Sequence, residues 1–206
     1  MKIIAVEKEK KGKINVQVEG KSPLVLKTDD FYSSALYDKE NLTEDEYESL
    51  EKKVMLSDAR EAAIKYVVFR MRSCGEVRNK LIGKGISEEV ADEVISSLCE
   101  RGYLDDGLYL KKFILQRTSS KACSRKALQY ELMKKGFDRD IAWEAALKWA
   151  KEDRETAYDI ITRKYGGYPP DDKGMAKVFA ALTRVGYEHD SIKAALEKIA
   201  EEAQDK

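Results

Sequence analysis

The chain is poor in several residue types, and each shortage excludes a class of protein. Its 206 residues include one His, three Cys and three Pro. A single His, His189, with no Cys pair and no CxxC spacing, leaves nothing to assemble a structural zinc site. A Ser-His-Asp or Cys-His arrangement would rest on His189 alone, which sits in a polar EHDS segment that reads as a helix start. Cys74, Cys99 and Cys123 are odd in number and widely spaced. That fits a reducing compartment, the cytoplasm, and each is expected to be a small buried or half-buried residue. Scarce proline favours long helices. No apolar run approaches the roughly 18 to 20 residues that span a bilayer. The start, MKIIAVEKEKKGK, turns charged after six residues and does not read as a signal peptide. No GxxxxGK[ST] phosphate loop is present. No catalytic residue, metal ligand or cofactor is therefore expected, and the chain reads as a non-enzyme.

Net charge is lacking too. Lys plus Arg number 38 and Asp plus Glu number 38, although 37% of the residues are charged. A zero total argues against a protein that coats naked nucleic acid and gives no reason to expect a membrane-surface binder. The large number of charges moves the question to where they sit.

Over residues 1–28 apolar and polar side chains alternate: Ile14, Val16 and Val18, then Leu24 and Leu26. Lys11-Gly12 and Glu19-Gly20 supply turns, so two or three short strands are expected, a hairpin or meander. Near residue 43 the period becomes helical. Thr43 and Glu46 form a capping box opening one helix. A second is expected to begin near Ser57 or Asp58, with Ile64, Val67, Val68 and Met71 on one face.

The remainder repeats. LIGKGI at 81–86, LMKKGF at 132–137 and LTRVGY at 182–187 place Leu81, Leu132 and Leu182 at spacings of 51 and 50, each followed four residues later by Gly85, Gly136 or Gly186. Each Leu follows Val77, Leu128 or Val178 by one helical turn. The pattern predicts a helix closed by a left-handed Gly, an apolar anchor (Ile86, Phe137, Tyr187), and another amphipathic helix from Ser87, Asp138 or Glu188. With leading helices near 58–71, 106–118 and 153–165, each unit holds three helices. The fold class expected is mainly α: a tandem, elongated and curved array of three three-helix repeats behind a small N-terminal β-hairpin or meander. The boundaries are 1–56 for the strand-rich extension and connecting helix, 57–104 for repeat one, 105–151 for repeat two and 152–206 for repeat three. Trp143 and Trp149 read as helix-packing residues. Residues 165–170, YGGYPP, read as a loop between helices of repeat three.

Charge is unevenly spread over these units. Residues 107–139 hold nine basic and two acidic side chains, a net of +7, and the other segments are mildly acidic. Lys134 and Lys135 fall in the last turn of a helix, where cations complement the dipole. Arg125 and Lys126 fall in the first turn after Ser124, against the dipole, which points to an anionic partner. Lys111, Lys112, Arg117, Lys121, Arg125, Lys126, Lys134 and Lys135 are the candidate contact residues.

Three stretches carry a family resemblance. MRSCGEVRNKLIGKGI at 71–86, LCERGYLDDGLYLKKFILQR at 98–117 and ALQYELMKKGF at 127–137 resemble the RecX family of bacterial regulators of the RecA recombinase. The elements matched are Arg72, Ser73, Glu76, Val77, Lys80 and Leu81; Gly102, Tyr103, Leu104, Asp105 and Asp106; Glu131, Leu132, Lys135 and Gly136; and Arg184, Gly186 and Tyr187. The resemblance covers about residues 57–200. Residues themselves explain much of it: Ser73 and Glu76 form a capping box, and Asp105 or Asp106 caps the next leading helix. The chain departs from the family at 118–123, TSSKAC, where members commonly carry a Gly, and at Val77, where Leu is more usual.

The resemblance implies a regulator that lies along the groove of the RecA–DNA filament and reduces recombinase, ATPase and co-protease activities in DNA repair and the SOS response. It implies RecA as partner, with DNA phosphates within the filament as a further contact, and no membrane. A non-closing repeat array is expected to be a monomer. Two other readings stand beside it: a helical-repeat protein binding DNA directly without RecA, and a scaffold for unrelated protein partners.

Overall fold

A computed structural model describes residues 1–166 and 171–204. The chain divides into two compact units, Met1–Arg70 with Lys80–Glu100, and Met71–Asn79 with Arg101–Lys206. Ten α-helices and three strands occur among the described residues.

In the first unit, β1 (Ile3–Glu9), β2 (Lys13–Val18) and β3 (Leu24–Lys27) form an antiparallel sheet in the order β1-β2-β3. Ile14, Val16 and Val18 alternate with half-exposed Lys13, Asn15 and Gln17, so one face of β2 is buried. That face joins Leu24, Leu26, Phe31, Leu36, Leu42, Tyr47 and Leu50 in one apolar cluster. The sheet thus finds the cover that a lone meander needs. The turn between β1 and β2 holds Lys11 and Gly12 at φ 68° and 69°. A short helix α1 (Thr28–Ser33) and a 3-10 turn at Leu36–Asp38 follow, in a stretch where the sequence suggested no element.

The Thr43–Glu46 capping box forms, with the Glu46 N–H donating to Thr43 Oγ1 at 3.2 Å and the Thr43 N–H to Glu46 Oε2 at 3.0 Å. It opens α2 (Glu44–Val68), a single helix of 25 residues. The expected break at Ser57 or Asp58 is absent. No Gly or Pro interrupts the run, and one polar pair amid good helix formers does not end a helix. The N-terminal half of α2 covers the sheet through Tyr47 and Leu50, and Ala59 and Ala63 are buried further along. Helix α4 (Glu88–Glu100) packs on α2.

Helix α3 (Cys74–Ile82) has its first residues in the second unit. The second unit continues with α5 (Asp106–Ser120), α6 (Arg125–Met133) and α7 (Arg139–Trp149), then α8 (Asp153–Tyr165), α9 (Asp172–Arg184) and α10 (His189–Gln204). Each triplet has its own core. The first is built on Tyr109, Leu110, Ile114, Leu128, Leu132 and Phe137, the second on Ile161, Val178, Leu182, Tyr187, Ile192 and Leu196. The three sequence repeats end their middle helices alike. Gly85, Gly136 and Gly186 have φ of 84°, 88° and 93°. Their N–H groups donate to Ile82, Met133 and Thr183, and those of Ile86, Phe137 and Tyr187 to Leu81, Leu132 and Leu182. This pair of bonds is a Schellman closure, and the leucine that marks each repeat is its acceptor.

Two packing expectations are corrected. Cys123 is buried and Cys74 half-buried, but Cys99 is exposed. Trp149 packs against the α5–α7 core, whereas Trp143 is 37% exposed, on the outer face of α7. Of the expected loop at 165–170, Tyr165 ends α8 and Gly166 caps it with φ 71°; residues 167–170 lie outside the described residues.

Candidate partner-binding surface

Two joints of one design hold the second unit together. In the first, Ser73 precedes α3 and its hydroxyl accepts from the Glu76 N–H at 3.0 Å while donating to the Lys135 carbonyl. The next N–H, that of Cys74, donates to Asp106 Oδ1 at 2.8 Å. In the second joint, Ser124 precedes α6, accepts from the Ala127 N–H at 3.1 Å and donates to the Val185 carbonyl at 2.8 Å. The next N–H, that of Arg125, donates to Asp153 Oδ1 at 2.8 Å. A Ser at a helix N-cap therefore ties its helix to the Schellman end one repeat ahead. An Asp at the start of the following leading helix satisfies one further amide left free by the first turn. The neighbouring aspartates divide the work: Asp105 caps α5 through the Leu108 N–H at 2.8 Å, and Asp106 serves α3.

The joints differ in charge. At the first, the half-buried Glu76 takes hydrogen bonds from the Ser73 N–H (3.3 Å) and Tyr109 Oη (3.0 Å) and ion pairs from Lys135 (3.3 Å) and Arg72 (3.5 Å). Burial pushes the Glu76 carboxyl up, but the Tyr109, Ser73 and Lys135 contacts outweigh it and hold it below its ordinary value. At the second joint, Ala127 takes the place that Glu76 has at the first, three residues past the capping Ser. Asp153 is raised by burial, against the opposing pull of the Arg125 N–H and charge.

The candidate contact residues fall into two groups. Several are engaged internally. Arg117 Nε and Nη2 grip Glu131 at 3.0–3.1 Å, and this bond holds the guanidinium above its ordinary value. Arg125 is half-buried; its Nη2 donates to the Ala150 carbonyl at 3.3 Å and its Nε is buried without a partner. Its place against the helix dipole thus has an internal cause in the end of α7. Lys135 belongs to the first joint through Glu76. Lys134 lies 4.3 Å from the Tyr130 ring centroid and Lys111 4.8 Å from that of Trp149. The others, Lys112, Lys121 and Lys126, are exposed, and none is in an ion pair among the described residues.

Lys121 and Lys126 open onto a cleft of about 1010 Å³ in the second unit, also lined by Arg139, Arg163, Lys164 and Arg184. Sequence reading put none of these four among the candidates: Arg139 was counted in the basic segment but not singled out, and the last three belong to a repeat whose total charge is negative. The signal was positional: Arg163, Lys164 and Arg184 end α8 and α9, and the repeat register sets the end of α9 against the start of α6. Cys123 forms part of the wall, and burial pushes its thiol up, opposed by Arg117. His189 starts α10 with its ring 5.2 Å from that of Phe179. No described helix is long and apolar enough to cross a membrane.

Known proteins resemble this chain in sequence and in fold. Residues 59–98 match the family model of the RecX first three-helix domain. A regulatory protein RecX of Clostridium botulinum is 27% identical over 195 residues, covering 92% of this chain and 91% of its own. One from Caldanaerobacter subterraneus is 25% identical over 93% of this chain and 95% of its own. One from Prosthecochloris aestuarii reaches 40% over a shorter stretch, 43% of this chain and 61% of its own. A crystal structure of a regulatory protein RecX superposes with a TM-score of 0.66 at 20% identity, over 93% of this chain and 98% of that one. That of RecX from Lactobacillus salivarius gives 0.61 at 22% identity, over 71% and 97%. By family model, by curated relatives aligned over nearly the whole chain and by fold, the resemblance of this chain to the RecX family is shown.

Proposed function

We propose that this chain is a non-enzymatic regulator that binds RecA–DNA filaments in the cytoplasm and modulates their recombinase, ATPase and co-protease activities. The observation that carries the reading is the match to regulatory RecX proteins along nine-tenths of both chains, with the repeat-closing leucines and glycines in place. The exposed cations of the second unit support it: Lys112, Lys121 and Lys126 are available to DNA phosphates or to acidic filament surface. Electrostatic contacts of this kind set association rate and register more than raw affinity.

The test is RecA's DNA-dependent ATPase and strand exchange, measured with RecA from the same organism and substoichiometric amounts of this protein. Inhibition or altered filament turnover is expected. No effect at any ratio sinks the reading. A direct DNA-binding role without RecA is the second reading, supported by the same cations. It predicts tight, sequence-dependent gel shifts on naked DNA that survive raised salt, whereas phosphate contact alone weakens steeply with salt.

A further inference from the structure

We propose that the cleft beside the second joint is a binding site for a phosphorylated nucleotide. The two joints share one hydrogen-bond design and differ in what fills them. At the first, the backbones of Gly75 and Gly136 touch: a Cβ built on Gly75 would lie 2.6 Å from the Gly136 Cα. Two residues past the capping Ser at the second joint stands Lys126 instead of Gly, and its side chain faces Gly186. The large cleft lies on this second joint, with Lys126, Ala127, Val185 and Gly186 among its lining residues.

Charge follows the same contrast. At the first joint the Glu76 carboxylate is paired with both Lys135 and Arg72. Ala127, at the corresponding place, brings no carboxylate, and the cleft keeps its cations. Lys121, Lys126, Arg139, Arg163, Lys164 and Arg184 line it, and none is in an ion pair among the described residues. Of the two acidic lining residues, Glu131 is taken by Arg117, which leaves Asp159 against six cations. Like charges gathered in one concavity raise the local concentration of anions, and their mutual repulsion is relieved when a polyanion binds.

The remaining lining defines the ligand further. Tyr130 and Tyr165 stand in the cleft, with Ile160, Leu182 and Met133 as apolar wall. Aromatic rings beside cations suit a base joined to phosphates, since bases stack on aromatic faces whatever their identity. The volume is at the upper end of the roughly 300–1,000 Å³ usual for small-molecule sites. The ligand chemistry is therefore a base with two or more phosphate charges, drawn either from free nucleotide or from a single strand. Lys121 and Lys126 are shared with the proposed filament contact, but binding measured without RecA lets the two readings fail separately.

The probes are ATP, adenosine, inorganic pyrophosphate and a twelve-residue oligothymidylate, titrated calorimetrically into the full chain at low salt. The designed variant is Ala127→Glu, which supplies the carboxylate the first joint already has; Lys126→Ala is the second, since it removes a cation without adding bulk. Expected is ATP binding at least about tenfold tighter than adenosine or pyrophosphate, weakened about tenfold or more in both variants with no fall in melting temperature; Ala127→Glu completes a Ser-x-x-Glu capping box with Ser124 and is expected to raise it slightly. Oligonucleotide binding that ATP competes away assigns the strand as a source of the same chemistry. No heat from ATP or oligonucleotide at millimolar concentration overturns the proposal. So does binding that neither variant alters, and so does ATP binding no tighter than pyrophosphate, which would reduce the cleft to an unspecific anion trap.

Discussion

Gly75 and Gly136 meet backbone to backbone, so closely that a Cβ on either would lie 2.6 Å from the other's Cα. Gly136 also carries φ 88°, a left-handed value required by the Schellman closure of α6. One close approach therefore couples two demands for glycine, the first steric and the second conformational. Gly75→Ala is expected to destabilise the second unit by about 1–3 kcal/mol through overpacking. Gly85 has φ 84° but open space around its position, so Gly85→Ala carries only the left-handed cost, about 1–2 kcal/mol. Gly136→Ala should exceed both, since it suffers both. Urea unfolding ranks the three; a Gly136→Ala effect no larger than that of Gly85→Ala would show that the joint yields without cost.

The serines at the joints do two jobs, and substitutions can separate them. Ser124 Oγ accepts from Ala127 and donates to Val185. Ser124→Thr keeps both and should be tolerated best. Ser124→Ala loses the cap, about 0.5–2 kcal/mol, and leaves the Val185 carbonyl unpaired. Ser124→Asp keeps the capping acceptor but cannot donate, and it sets a carboxylate against a carbonyl. Thermal melts should place Asp well below Thr, although both are good caps. Equal melting temperatures for the two would mean that the bond to Val185 adds nothing.

Glu76 and Asp153 should respond to acid with opposite signs. Burial raises Glu76, yet its Tyr109, Ser73 and Lys135 contacts hold it below its ordinary value. Its stabilisation is therefore complete above the ordinary carboxylate value and is lost as pH falls through the lower folded one. Asp153 is raised by burial. Its contribution is present below the unfolded value and declines as pH rises through the folded one. Urea midpoints across the acid range should show Glu76→Gln flattening the loss of stability toward low pH. Asp153→Asn should steepen that loss. Both profiles parallel to the parent would remove these carboxylates from the linkage.

Much of this arrangement was legible in residues 81–86, 132–137 and 182–187, because a Leu four residues before a Gly and an apolar residue after it are the chemical requirements of a Schellman end. The capping boxes at Thr43 and Ser73 were legible for the same reason: partners lie three residues apart. What sequence does not carry is partnership between repeats. Nothing local says that Asp106 serves α3 rather than its own helix, or that the Arg125 head reaches the end of α7. The continuous α2 was missed because a polar Ser57-Asp58 pair looks like a cap until the absence of Gly and Pro is weighed. The cleft cations were hidden by segment totals, which add charges along the chain while Arg163, Lys164 and Arg184 gather in space.

The exposed and the engaged cations should behave differently toward the filament. Lys121 and Lys126 are exposed and outside any described ion pair, so Lys121→Glu with Lys126→Glu should keep the parent melting temperature and weaken inhibition of RecA's ATPase. Removing one lysine–phosphate interaction should lower the salt slope of binding by about one. Arg125→Glu should act by another route. It strands the Ala150 carbonyl and sets a second carboxylate beside Asp153, so the unit itself should melt earlier, by a margin of about 1–3 kcal/mol. Arg117→Glu faces Glu131 with a like charge and should also act on stability, although more weakly, because the pair is about a third exposed. The measurement is filament binding across salt beside thermal melting for each variant. Full inhibition with an unchanged salt slope in the double lysine variant would remove Lys121 and Lys126 from the binding surface. A normal melt with abolished inhibition in Arg125→Glu would restore Arg125 to it.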